Sequence, residues 1–168
     1  MSDSTYNMYS LVVSILALLL SLYTLFKSRK DVKFAQKNAN EALKLQHGTI
    51  ELQIRTGITN ARNTINNLTP ILTPYLAKKQ AGSLSVEESY SLDLLYKAYD
   101  SCIEDLLNQY DEACKKYIDG KIDRATFKET YFHEIKNITS SQDLSSYYNL
   151  ETTKYTSTLR VREEWITD

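Results

Sequence analysis

The groups that could do chemistry are few and scattered. The chain has 168 residues and holds two histidines, His47 and His133, and two cysteines, Cys102 and Cys114. A structural zinc site takes four Cys or His ligands, and His133-Glu134 is not followed by the second histidine of a HExxH helix. A di-iron bundle needs Glu-x-x-His motifs, and none occurs. Four glycines leave no GxxxxGK[ST], GxGxxG or GxSxG loop. The run Asp119-Gly120-Lys121-Ile122-Asp123 lacks the acidic spacing of a calcium loop. His133 lies four residues after Glu129, a spacing that suits a surface ion pair. Asp93, Asp100, Glu104 and Asp111 share one helical face with Lys97 and Lys115, which reads as a solvated face of mixed charge. No catalytic, cofactor-binding or metal-ligating residue emerges, so neither a cofactor nor an enzymatic activity is expected.

The element that positions everything else is the stretch 9–26, YSLVVSILALLLSLYTLF, which has no charge, no Gly and no Pro. At about 1.5 Å per residue it is long enough to cross a hydrocarbon core of about 30 Å when interfacial residues help at its ends. Tyr9 and Tyr23 suit the headgroup region. A cleaved signal peptide would carry a basic start and a small-residue cleavage site, whereas no Lys or Arg precedes Lys27 and no A-x-A follows. A soluble core helix would keep a polar stripe.

Charge sets the expected orientation. The N-terminal flank has no basic side chain, and the other flank carries Lys27, Arg29, Lys30 and Lys33 against Asp31. Basic flanks stay cytoplasmic, which predicts a short external tail (1–8), a transmembrane helix (9–26), a basic juxtamembrane stalk (27–47) and a cytosolic domain (48–168). Residues 27–47 hold six basic and two acidic side chains, and 48–168 hold fourteen and eighteen. The four basic residues of the flank are expected to contact lipid headgroups, at about 1 kcal/mol per charge near an anionic leaflet. No basic face appears away from the membrane, so nucleic acid is not an expected partner. The sequons Asn67-Leu68-Thr69 and Asn137-Ile138-Thr139 would then escape glycosylation.

Within the span, Ser10, Ser14, Ala17, Ser21, Thr24 and Ser28 recur at spacings of 4, 3, 4, 3 and 4. Such a seam of small residues lets helix backbones approach in lipid, with hydroxyls bonding across the contact. It points to a homo-oligomer. The alternative is that these hydroxyls bond back to their own helix carbonyls.

Few glycines and prolines and little β-alternation predict an all-α protein. The transmembrane helix runs into the stalk, with a break or bend at Gly48. A bundle of about four helices follows. The first carries Ile50, Ile54, Ile58, Ala61, Ile65 and Leu68 and is expected to end at Thr69-Pro70 and Thr73-Pro74, before a loop at 78–83. The second is capped by Ser85 with Glu88 in a capping box and closes at Asp119-Gly120. Its tyrosines are expected at the core edge with wet hydroxyls. Asp123 caps the third, roughly 124–138, and a fourth is placed at roughly 143–165. Cys102 and Cys114 lie on one helix about 18 Å apart, too far for a disulfide, and read as small buried hydrophobes.

The run 110–138, YDEACKKYIDGKIDRATFKETYFHEIKNI, resembles small uncharacterised bacterial and prophage-associated proteins with one N-terminal transmembrane helix and a helical cytosolic domain. The shared features are the aromatic and acidic helix end, the turn from Ile118 to Asp123, and Phe127 and Tyr131. The resemblance implies a bacterial inner-membrane setting and carries no catalytic residue. The expected function is that of a non-enzymatic, single-pass anchor that holds a cytosolic protein partner at the inner membrane and self-associates through its span. The alternative is a membrane-active effector, as in phage defence, that oligomerises and permeabilises the membrane.

Overall fold

The structure, a computed structural model, describes the backbone of residues 3–167 and the side chains of 11–167. It is all-α. Its elements are α1 (Asp3–Gln80), α2 (Val86–Ile118), α3 (Arg124–Ser140) and α4 (Thr156–Thr167). The chain divides into two units, Met1–Gln46 and His47–Asp168. In the first, every described side chain from 11 to 46 is exposed. Helix begins at Asp3, so most of the expected tail is helical. The side chains of Tyr9 and Ser10 lie outside the described residues.

The second unit is a bundle built on α2. Ser85 starts that helix with the expected capping box: the Glu88 amide donates to Ser85 Oγ at 3.1 Å, and the Ser85 amide to Glu88 Oε2 at 3.0 Å. Two orphan donors of the first turn are thereby satisfied. At the other end Gly120 takes a φ of +68°, a left-handed value that a side chain would strain, and the chain reverses. Asp123 Oδ1 then accepts from the Thr126 amide at 2.8 Å and starts α3.

One face of α2 carries the core. Tyr110, Ala113, Cys114 and Tyr117 pack with Ile54 and Ile58 of α1, Phe127 and Ile135 of α3, and Val161 and Trp165 of α4. A second cluster joins Leu107 to Tyr148 and Tyr155. Each large side chain buried this way contributes about 1.5–3 kcal/mol. Gly57 brings α1 close to Gln109, whose side-chain Oε1 occupies the space that a Cβ at that position would need.

Three boundaries differ from expectation. Helix continues through Gly48, which keeps an ordinary negative φ. A glycine there costs about 1 kcal/mol against alanine but forces no turn. Pro70 and Pro74 lie inside α1, which runs on to Gln80 through the first part of the expected loop. Each proline removes one helical donor. Thr69 and Thr73 donate their hydroxyls to the carbonyls of Ile65 and Thr69, and Leu72, between the prolines, is buried. Tertiary burial therefore overrides the local signal to stop.

The last helix is shorter than expected, Thr156–Thr167, and 141–155 is a chain of turns. There the Glu151 amide donates to Asn149 Oδ1 and the Tyr155 amide to Thr153 Oγ1, both at 3.0 Å. Short polar side chains thus compete with helical bonding.

Because helix-interior proline is intrinsically unfavourable, replacing both Pro70 and Pro74 by alanine should stabilise the protein by about 1–3 kcal/mol. Thermal unfolding of the full chain in detergent measures this. An unchanged or lower midpoint would mean that the prolines are matched to a bend that alanine cannot take.

Candidate functional site

The strongest candidate surface is the apolar part of α1. The helix holds an apolar window long enough to cross a membrane, and none of that window is buried among the described residues. Leu11, Ile15, Leu18, Leu22 and Leu25 are all at least 45% exposed, alongside Tyr23 and Phe26. Nothing among the described residues covers them, so the rest of the chain does not supply the apolar environment that such side chains need.

Ser14, Ala17, Ser21, Thr24 and Ser28 are exposed along the helix. The Ser21 hydroxyl donates to the Ala17 carbonyl at 2.8 Å and the Thr24 hydroxyl to the Ser21 carbonyl at 2.9 Å. These two protons are spent within the helix, whereas the oxygens keep acceptor capacity. The contact that the seam can offer is thus mainly close backbone approach. Lys27, Arg29, Lys30 and Lys33 follow directly, all exposed.

The second unit joins its helices through half-buried polar groups at the rim of the core. Arg62 of α1 donates to the Tyr110 hydroxyl and lies 2.8 Å from Glu134 Oε2, to which the Tyr110 hydroxyl also donates at 2.8 Å. Three helices meet at that oxygen. The Tyr117 hydroxyl donates to Glu164 Oε1 at 2.6 Å and accepts from Trp165 Nε1 at 3.1 Å, with the Arg124 guanidinium 5.1 Å above the ring. Asp111 Oδ1 accepts from the Thr158 amide at 2.9 Å and from its hydroxyl at 3.1 Å. A residue of α2 thereby caps α4, whose own start lacks an acidic first turn.

These findings change several assignments. The hydroxyls of Tyr110 and Tyr117 are not wet but bonded to carboxylates. Asp111 is not a solvated charge. His133 is exposed with its ring against Phe132, and no ion pair joins it to Glu129 among the described residues. Both cysteines are free and Cys114 is buried, as expected, whereas Cys102 is only half-buried. Arg62, Glu134 and Glu164 were not singled out by sequence. The available signal was a charge abutting an apolar stripe, as Arg62 abuts Ile58, Ala61 and Ile65.

Inside the bundle, burial is the first cause of the shifts in Cys114, Tyr110 and Tyr148. Burial pushes the Cys114 thiol up to about 12, which keeps it protonated and poorly nucleophilic. Burial, and then the bond to Glu134, raises the Tyr110 phenol. Burial also raises Tyr148. No group of three or more metal-capable side chains occurs among the described residues. No protein-family model, curated protein or solved structure matches the chain.

Two predictions follow from the buried phenols. Tyr110→Phe leaves Arg62 and Glu134 without their shared partner and should cost about 1–3 kcal/mol. The Tyr148 hydroxyl is buried without a hydrogen-bond partner among the described residues, so Tyr148→Phe should be neutral or stabilising. Denaturant titration of both variants separates them, and equal losses would refute the assignment. In the second prediction, pH is varied. The folded state holds the Tyr110 and Tyr148 protons more tightly than the unfolded chain does, so their contribution is full below pH about 10 and is lost as pH rises beyond it. Tyr148→Phe should lessen that alkaline loss. An identical alkaline profile in wild type and variant would count against it.

Proposed function

We propose that this protein is a non-enzymatic, single-pass membrane anchor whose 48–168 domain holds a cytosolic protein partner at the membrane. The observation that carries this reading is the apolar stretch of α1, which nothing among the described residues buries. The basic residues that follow it support an orientation with the domain in the cytosol, in the inner membrane of a bacterium. The small-residue seam supports pairing with a second copy in the bilayer. The half-buried carboxylates of Asp111, Glu134 and Glu164 are engaged by tyrosine, arginine and helix-capping contacts, which supports a binding role rather than a catalytic one.

Alkaline carbonate should leave the full chain in the membrane pellet and release a variant lacking residues 9–26. Release of the full chain would overturn the anchor. Membrane cross-linking should trap a dimer that Ser14→Leu, Ala17→Leu, Ser21→Leu weakens by about tenfold or more. An undiminished dimer would exclude the seam. Expression of the chain should leave the membrane potential intact, and depolarisation would favour the effector function instead.

A further inference from the structure

The outer face of α2 carries a second surface, distinct from the membrane span. The described contacts of α3 and α4 fall on the later part of α2, from Ile103 to Tyr117. The earlier part lies in a two-helix hairpin with α1, where Leu72 and Leu92 are buried and Lys78 pairs with Glu88. On the side away from Leu92, Val86, Tyr90 and Leu94 repeat every four residues and are 83%, 67% and 48% exposed. At about 100° per residue they form one stripe, opposite the buried face of the same helix.

That stripe has acidic borders. The same helical angle places Glu87 along one side and Asp93 along the other; Asp105 and Asp100 continue these two lines about 16 and 9 Å past Leu94, and Lys97 lies in line with the stripe just past Leu94, all exposed. Among the described residues none of these four carboxylates is in an ion pair. A second copy of this face would bring like charges together, and an anionic lipid surface would repel it. The complement is an apolar stripe edged with Lys or Arg.

We infer that the Val86–Tyr90–Leu94 face docks a basic amphipathic helix of a partner protein. This rests on the interaction-module reading above and names the partner's chemistry. Leucines at i, i+4 and i+8 of the partner pack between the three exposed side chains, and flanking lysines meet the acids on both sides.

The test uses the full chain in nanodiscs of zwitterionic phosphatidylcholine, so that lipid does not compete for a cationic peptide. The probe is a synthetic helical peptide with leucines at i, i+4 and i+8 and lysines flanking them, and the control replaces the lysines by glutamates. The lysine peptide should bind, more weakly at high salt, and Tyr90→Ser, Leu94→Ser should weaken it by about tenfold or more. Both positions are exposed, so helix content should not change, and circular dichroism checks that. Equal binding of the two peptides, or undiminished binding to the variant, overturns the proposal. So does a concentration-dependent oligomer that the same variant abolishes, since the occupant would then be a second copy. Failure of the anchor reading appears separately, as release of the chain from membranes by carbonate.

Discussion

Water cannot solvate a helix surface of Leu, Ile, Val and Phe at acceptable cost, and this constraint governs the first unit. Leaving one such side chain in water rather than burying it costs about 1.5–3 kcal/mol, and α1 leaves a whole membrane-length window without protein cover. The second unit has no comparable deficit. Its large apolar groups close on α2, and Glu134, Glu164 and Asp111 are bonded across helices. The two units thus ask for different solvents, and the proposed anchor rests on that difference.

Inside the bundle, specificity comes from polar groups as much as from packing. Glu134 draws α1, α2 and α3 to one carboxylate oxygen. Glu164 and Trp165 fix the end of α4 against Tyr117, and Asp111 fixes its start. Breaking one partner leaves the other buried and unpaired, so these bonds select a single arrangement among those that a tyrosine-rich core would tolerate. The tyrosines supply area and a donor together, which explains why so many occupy α2.

Much of this was legible from local rules. The capping box at Ser85, the closing Gly120 and the Asp123 cap follow from residue types whose geometry is decided within a few positions. What failed was also local reasoning. Pro70 and Pro74 carry a strong stop signal, yet burial of Leu72 and the threonine back-bonds keep the helix going. The 141–155 segment has tyrosines at plausible helical positions, but Asn149 and Thr153 bond to nearby amides instead. The Arg62–Tyr110–Glu134 contact spans three helices, and no periodicity within one helix reveals which charge will meet which phenol. The acidic borders of the Val86–Tyr90–Leu94 stripe were visible as charges but not as borders, because their meaning depends on which face of α2 the core consumes.

Sidedness of the chain in a membrane tests the central claim most directly. In a Cys102→Ser, Cys114→Ala background, single cysteines are placed at Ser4→Cys and Ser83→Cys and exposed to a membrane-impermeant maleimide in intact bacteria. The anchor account predicts labelling of the first without permeabilisation and of the second only after it. Labelling of the Ser83→Cys protein in intact cells, or protection of neither site in any fraction, would contradict it.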